Sequence, residues 1–409
     1  MKFLKSIYFW FLIIVILIAI GVTFVVQDEI INEQETIKRR LEIKNSNIVG
    51  YENGIPSFKI QANYIWAGRS LYIFEGEALK KGRLYDSKGK LVIDNISADR
   101  IRVNTKRNIL AAFDNIQATF FQRSESPKSI TIHADELRYF SENKRTYLYK
   151  NIQLIRDKTT IYPNNQVDID NETNIAYLNY GFKLNSDELI ASANTMTIFL
   201  DEQYAEINGN IHFIRLAENI EQDNIDNREE KIRQKSTDLK CDYLKYHNQD
   251  DNEKITIKGN IKLLQDGKYI TADYGYYDKN QKFYELKDNI VIKTSSLRWL
   301  INKPPTSFEN KDLRDSLNVA VEIKGNHLTF DSEEKELTLI GNVKVVLTDK
   351  VISCQKLIFN DKNDWVELIG NVVMVKENHD KLMSSFISLN INDESVIARK
   401  RVVTKFKVK

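Results

Sequence analysis

A marker pair recurs along this chain at a fixed internal distance, and that cadence constrains the fold more than any single motif. A small residue followed by Asp, Asn or Gln stands at Ala98-Asp99, Ala134-Asp135, Asn164-Asn165, Ala193-Asn194, Cys241-Asp242, Ala272-Asp273, Gly325-Asn326 and Cys354-Gln355. Each is answered by a second marker, often Gly-Asn before a β-branched residue, at Asn115, Asn151, Gly181, Asn210, Asn260, Asn289, Asn342 and Asn371. The separation is 16 residues in seven of the eight pairs, as from Asp99 to Asn115, and 18 from Asp242 to Asn260. Self-similarity of this kind marks a stack of supersecondary units, each unable to bury its apolar face alone.

The second arm of each unit alternates with period two, as in Leu337, Leu339, Gly341, Val343, Val345, so it reads as a strand with one buried face. In the first arm the alternation slips by one residue at the marker: Ile130, Ile132 and Ala134 share one parity, Leu137 and Tyr139 the other. A one-residue slip turns a strand over, so the marker predicts a bulge or a corner where the chain passes between two sheets. Polar clusters such as Ser141-Glu142-Asn143-Lys144 and Asp278-Lys279-Asn280-Gln281 supply the turns. The expected fold is all-β, an extended antiparallel two-sheet stack. The inward parity in the first half selects Leu137, Tyr139, Leu148, Ile152, Leu154, Leu178, Phe182, Leu184, Met196, Ile198, Ile207, Ile211 and Phe213 as the lining of its interior.

Ahead of the repeats, Ser6 to Val26 carries no charge and is long enough to cross a bilayer as a helix. Lys2 and Lys5 precede it and Asp28, Glu29, Glu33 and Glu35 follow, which places the short N-terminus in the cytoplasm and the bulk outside the inner membrane. Ala19-Ile20-Gly21 leaves a cleaved signal peptide as the competing reading. The organisation that follows is a cytoplasmic 1–6, a transmembrane helix 7–26, a charged stalk 27–48, repeats over 49–217, a charged insertion 218–237 taken as a domain boundary, and repeats over 238–409 with an inserted loop at 297–317.

The order of a transmembrane helix, then Gly54-x-Pro56-Ser57-Phe58-Lys59-Ile60-Gln61-Ala62, then Ala-Asp arms answered by Gly-Asn-Val arms resembles the OstA-like proteins of lipopolysaccharide export. Residues 1 to about 215 resemble the bitopic LptC component, and about 238 to 409 the soluble LptA bridge, joined here in one chain. The resemblance implies a β-jellyroll with a hydrophobic groove that carries lipopolysaccharide or a similar glycolipid. It further implies receipt of lipid from an inner-membrane ABC transporter and docking of edge strands against other OstA-like jellyrolls. The inserted loop and the fused length depart from a minimal LptC.

Other chemistries find little support. A net charge of +2 provides no basic footprint for nucleic acid. The five histidines fall at unrelated repeat positions, and Asp168-Ile169-Asp170-Asn171-Glu172 lacks the glycine and distal Glu of a calcium loop. No nucleophile elbow, P-loop or dinucleotide fingerprint is present, and acidic markers that recur once per repeat read as corners rather than a catalytic pair. The chain is therefore read as a non-enzyme without cofactor or metal, and Cys241 and Cys354 as small core residues. The alternative function is a membrane-tethered structural or adhesive β-solenoid with a dry core and parallel coils. An anchored sugar-processing β-helix would need carboxylates concentrated on one face, which the sequence lacks.

Overall fold

The computed structural model describes residues 41–405 apart from 69, 122–128, 218–233, 250–251, 298–314, 316, 361, 378 and 392. The expected transmembrane helix 7–26 and most of both insertions lie outside the described residues. Among the described residues no helix is long and apolar enough to cross a membrane.

Twenty-six strands are described, and every recorded pairing is antiparallel. Antiparallel pairing throughout excludes the parallel coils of a β-solenoid for these residues. Six long strands come first: β1 (Leu41–Glu52), β2 (Ile55–Ala67), β3 (Ile73–Tyr85), β4 (Leu91–Asn104), β5 (Ile109–Phe121) and β6 (Ser129–Phe140). Eight short ones follow: β7 (Arg145–Tyr149), β8 (Gln153–Arg156), β9 (Thr159–Pro163), β10 (Gln166–Asp170), β11 (Ile175–Leu178), β12 (Phe182–Asn185), β13 (Leu189–Ala193) and β14 (Thr195–Phe199). Long strands then resume as β15 (Tyr204–Arg215), β16 (Thr237–Gln249), β17 (Asn252–Gln265), β18 (Lys268–Asp278), β19 (Phe283–Thr294), β20 (Val321–Asp331), β21 (Glu336–Val346), β22 (Lys350–Asn360), β23 (Trp365–Lys376) and β24 (Lys381–Asn390), and end in β25 (Ser395–Arg399) and β26 (Val403–Lys405).

The short strands expose the logic of the long ones. One half of β6 pairs with β7 and the other with β8. From there β7, β10, β11 and β14 form one wall, and β8, β9, β12 and β13 the other. Both walls rejoin on β15, whose first half pairs with β14 and second half with β13. Each long strand therefore serves both walls, with a register break where it crosses, for example between Lys258 and Ile261 or between Ile340 and Val343. The wall containing β7 is termed wall A and the wall containing β8 wall B. Sixteen shared strands, four short ones and one of β25 and β26 build each wall. At roughly 4.8 Å per strand, the stack runs about 95 Å along its hinge.

The markers sit at these crossings. Asp114 and Asn115, Gly259 and Asn260, and Gly341 and Asn342 all adopt positive φ, with values of 63°, 51°, 73°, 47°, 87° and 49° respectively. Two successive left-handed residues swing the strand from one wall into the other. Left-handed geometry costs a typical residue roughly 1–2 kcal/mol, least for Gly and Asn, which explains the composition of the marker. The 16-residue cadence has a direct counterpart, because the Asn amide donates to the Asp carboxylate of the preceding arm. Asn115 Nδ2 lies 2.6 Å from Asp99 Oδ2, Asn151 Nδ2 2.6 Å from Asp135 Oδ2 and Asn289 Nδ2 2.6 Å from Asp273 Oδ2. The 18-residue pair makes the same bond, Asn260 Nδ2 to Asp242 Oδ2 at 2.7 Å. At about 1 kcal/mol each, these bonds are comparable with the backbone cost of one left-handed residue.

The small residue of the first arm lies on the inner side of the same hinge, where the walls converge. A Cβ on Gly325 would stand 2.5 Å from Leu339 Cδ1, and Ala98, Ala134, Ala193, Cys241, Ala272 and Cys354 are all buried. Both cysteines are free. One marker needs correction. In the third pair of arms Asn164, not Asn165, makes the corner, its N–H donating to Gly181 O at 3.0 Å. The chain is split there into β9 and β10, so the corner follows Pro163 directly.

Gly341 is left-handed, and a Cβ there would lie 3.0 Å from Asn326 Nδ2. Gly341→Val should destabilise the chain by roughly 1–3 kcal/mol and lower its thermal midpoint. Gly54→Ala, equally left-handed but in open space, should cost less. Equal effects would show that the hinge imposes no steric demand beyond φ.

Candidate functional site

Two walls joined along one hinge form a wedge whose mouth lies opposite the hinge. Side chains next to the hinge are buried along the whole stack, including Ile116, Ile211, Ile261, Ile290, Val343 and Val372. Those nearer the mouth differ between the two halves. Upstream they are sealed: Phe58, Leu84, Ile93, Leu110, Phe120 and Tyr139 are almost wholly inaccessible. Downstream the corresponding positions Leu239, Ile257, Leu263, Leu286, Ile292, Ile323, Leu337, Ile352 and Leu382 are only half-buried. Tyr284, stacked at a tilt between Tyr277 and Phe330, is 44% exposed. The same alternating pattern thus yields a fully buried core in the first half and a partly exposed apolar trough in the second, where Val345, Leu347 and Phe359 are still buried.

Polar bonds across the mouth close the upstream half. Glu52 Oε2, at the end of β1 in wall B, accepts from Ser141 Oγ at 2.9 Å and Lys144 Nζ at 2.7 Å in a turn of wall A. Hydrogen bonding to Lys144 outweighs burial and holds the Glu52 carboxyl below its ordinary pKa. Ser87 donates its N–H and Oγ–H to Glu172 at 2.9 and 2.6 Å, again from wall B to a turn of wall A. Asn174 Nδ2 donates to Phe121 O at 3.0 Å and Asp201 Oδ1 at 2.6 Å. Beneath this row lies Tyr139, edge-on to Phe58 at 6.4 Å, its phenol pKa raised by burial. The stack lacks equivalent bonds from turn to turn beyond Asn174 among the described contacts. A small apolar cluster of Leu317, Phe359 and Ile391 is the exception downstream, and the ends of the inserted loop meet there, Leu297 N–H donating to Leu317 O at 2.9 Å.

Just past the last polar bond the mouth holds a cavity of about 290 Å³. It lies between the Arg156–Thr159 turn of wall B and the Leu200–Gln203 turn of wall A, floored by Leu154, Ile161, Leu184, Met196 and Ile198. Of the thirteen residues selected by inward parity, twelve are buried and Phe213 is half-buried. Leu154, Leu184, Met196 and Ile198 reach this cavity, and the others pack in the continuous core. Parity selected no residue of the downstream trough, although Ile257 and Leu286 carry the same alternation.

No group of three or more His, Cys, Asp or Glu that could hold a metal ion occurs among the described residues. His212 and His327 instead pair across strands with Asp238 and Glu285, at 3.0 and 2.7 Å. Asp168 and Asp170 bind Arg145, a structural use of the acidic run. Desolvation raises the Cys241 thiol to about 12 and the Cys354 thiol to about 11, far from the range of a reactive thiolate.

With this geometry in place, residues 81–216 match the lipopolysaccharide-assembly family described as LptC-related. The match covers about a third of the 409 residues, and the similarity is to that stretch alone. Among solved structures the chain is similar to LptH of Pseudomonas aeruginosa, described as the LptA homologous periplasmic component of the conserved lipopolysaccharide transport device. That similarity has 14% identity and a TM-score of 0.26, covering 34% of this chain and 95% of the other, and no conclusion rests on it. No curated protein matches the chain.

The polar closure and the buried thiols yield separate expectations. Lys144 has a side chain only 11% exposed, so Glu52→Ala should strand its charge and lower the thermal midpoint. Lys158→Ala, which removes a solvent-exposed pair with Asp187, should leave it unchanged. Equal midpoints for the two variants would contradict a closing role for Glu52. Cys241 and Cys354 should resist thiol reagents at pH 8 until the chain unfolds, and rapid labelling of the folded protein would contradict their burial. Because both folded pKa values lie above the ordinary 9.0, the stability that neutral burial provides is complete below pH 9 and declines as pH rises toward about 11 to 12.

Proposed function

We propose that the chain is a membrane-tethered periplasmic component of lipopolysaccharide or related glycolipid export, shielding acyl chains between its two walls. On this reading, 49–217 is the LptC-like part and 238–409 an LptA-like extension, with the helix at 7–26 as the inner-membrane anchor. The observation that carries it is the continuity of the wedge. β15 pairs with β16 across the charged insertion in ten register positions, so the LptC-related domain runs into the open trough without a break in the sheet.

The energetics suit such a cargo. Exposing a methylene to water costs about 0.8 kcal/mol, so a 12-carbon chain crossing an aqueous space unshielded would cost on the order of 10 kcal/mol. Half-buried aliphatic and aromatic side chains along the downstream walls offer a surface on which that cost is avoided. The two ends of the stack support assembly with similar jellyrolls. Among the described residues β1 pairs only with β2, and β25 and β26 pair only with β24, so each end presents strand edges there. Leu41, Ile43, Val396 and Val403 are exposed beside them. Receipt of lipid from an inner-membrane ABC transporter belongs to the same reading.

A photoreactive amino acid at Ile257, Leu286 or Leu184 of the full chain in the cell envelope should crosslink to lipopolysaccharide on irradiation. A folded protein that gives no lipid adduct at any inward position would overturn the transport reading.

A further inference from the structure

Resting on the lipid-carrying reading, the geometry points to where the guest gets in: we infer that an acyl chain enters sideways through the cavity between the Arg156–Thr159 and Leu200–Gln203 turns, with its anionic headgroup on Arg156. Passage along the axis from the β1 end is obstructed twice over. The upstream interior is filled with side chains that are almost wholly inaccessible, and its mouth is tied by Glu52 to Ser141 and Lys144, by Ser87 to Glu172, and by Asn174 to Phe121. An acyl chain threading that half would have to displace Leu110, Phe120 and Tyr139 and break the ties together.

The cavity lies just past the last tie among the described contacts, and its chemistry is amphipathic. Its floor is Leu154, Ile161, Leu184, Met196 and Ile198, while Arg156, Gln203 and Tyr246 stand at its rim. Arg156 is half-buried and makes no ion pair among the described contacts, in contrast to neighbouring Lys158, which is bound to Asp187 at 3.0 Å. Asp157 shares the rim and is exposed, so its carboxylate stays in water and opposes an anion at Arg156 only weakly. Gln203 Oε1 is buried without a donor, so a guest bearing a hydroxyl or amide hydrogen would satisfy it. A guanidinium suits a phosphate or carboxylate through paired N–H donors. The volume of about 290 Å³ matches the small end of ligand pockets, enough for part of one acyl tail rather than a whole glycolipid. From there the inner face continues through Ala205 and Tyr246 to Ile255 and Ile257, toward the open trough.

The test uses the full-length protein and purified lipopolysaccharide carrying a photoreactive diazirine on its acyl chains, with adducts mapped by peptide mass spectrometry. Label is expected on peptides spanning 154–161 and 184–205 and on the trough beyond 237, with none on 58–120. Arg156→Glu should reduce label at the cavity about tenfold, and Arg156→Lys should restore much of it. Label on 58–120 as strong as at the cavity would show axial passage and overturn the inference, as would an Arg156→Glu variant labelled like the parent. Label confined to the trough would sink the lateral port while sparing lipid carriage. A folded protein without label anywhere would end both.

Discussion

The structure depends on one local corner repeated along its length: a second-arm strand that turns left-handed at two successive residues, tied at four of these corners by an Asn amide to the Asp of the arm before. That corner sends β5, β15, β17, β19, β21 and β23 from one wall into the other, while β6, β16, β18, β20 and β22 cross beside them without a left-handed residue. Because the corners stack, they form a single hinge and leave a single mouth, and the apolar faces of both walls are turned toward each other without further instruction. The small residue beside each Asp follows from the same geometry, since Leu339 already occupies the space that a side chain on Gly325 would take. Cys241 and Cys354 serve there as small apolar groups, not as reactive ones.

A hinge sets the line along which the walls meet but not the angle at which they part. The angle is decided at the mouth. Glu52, Ser87, Glu172 and Asn174 are ordinary polar residues in turns, yet they draw the upstream walls together until Tyr139 and Phe120 are enclosed. Downstream such ties are missing among the described contacts, and Ile257, Leu286 and Tyr284 stay accessible to a guest. One repeat therefore builds two things in one chain: a closed body with a buried core, and a partly exposed apolar trough.

Much of this was legible in the residues. The parity slip at Ala134-Asp135 located a true corner, with Ile132 and Leu137 buried on opposite walls, and the 16-residue cadence is the span of the Asn151 to Asp135 bond. The break of the middle strands into β7 to β14 was not foreseen, because a severed corner and a bulged one share the same alternation. Asn164 makes the corner rather than Asn165, and two asparagines in succession offer no parity to choose between them. The unequal opening of the wedge was invisible for a deeper reason. Leu110 and Ile257 sit in equally alternating strands, and what separates them is a bond from Lys144 to Glu52, 92 residues away in sequence. The cavity beside Arg156 is a product of the same long-range closure.

The proposed transport requires that the walls part downstream far enough to hold an acyl chain and stay closed upstream. A crystal structure of the full chain grown with lipopolysaccharide tests it most directly. The account predicts acyl density between the walls along Leu239, Ile257 and Leu286, and side chains alone between Phe58 and Tyr139. Downstream walls packed against each other with lipid found only on the outer surface would contradict it.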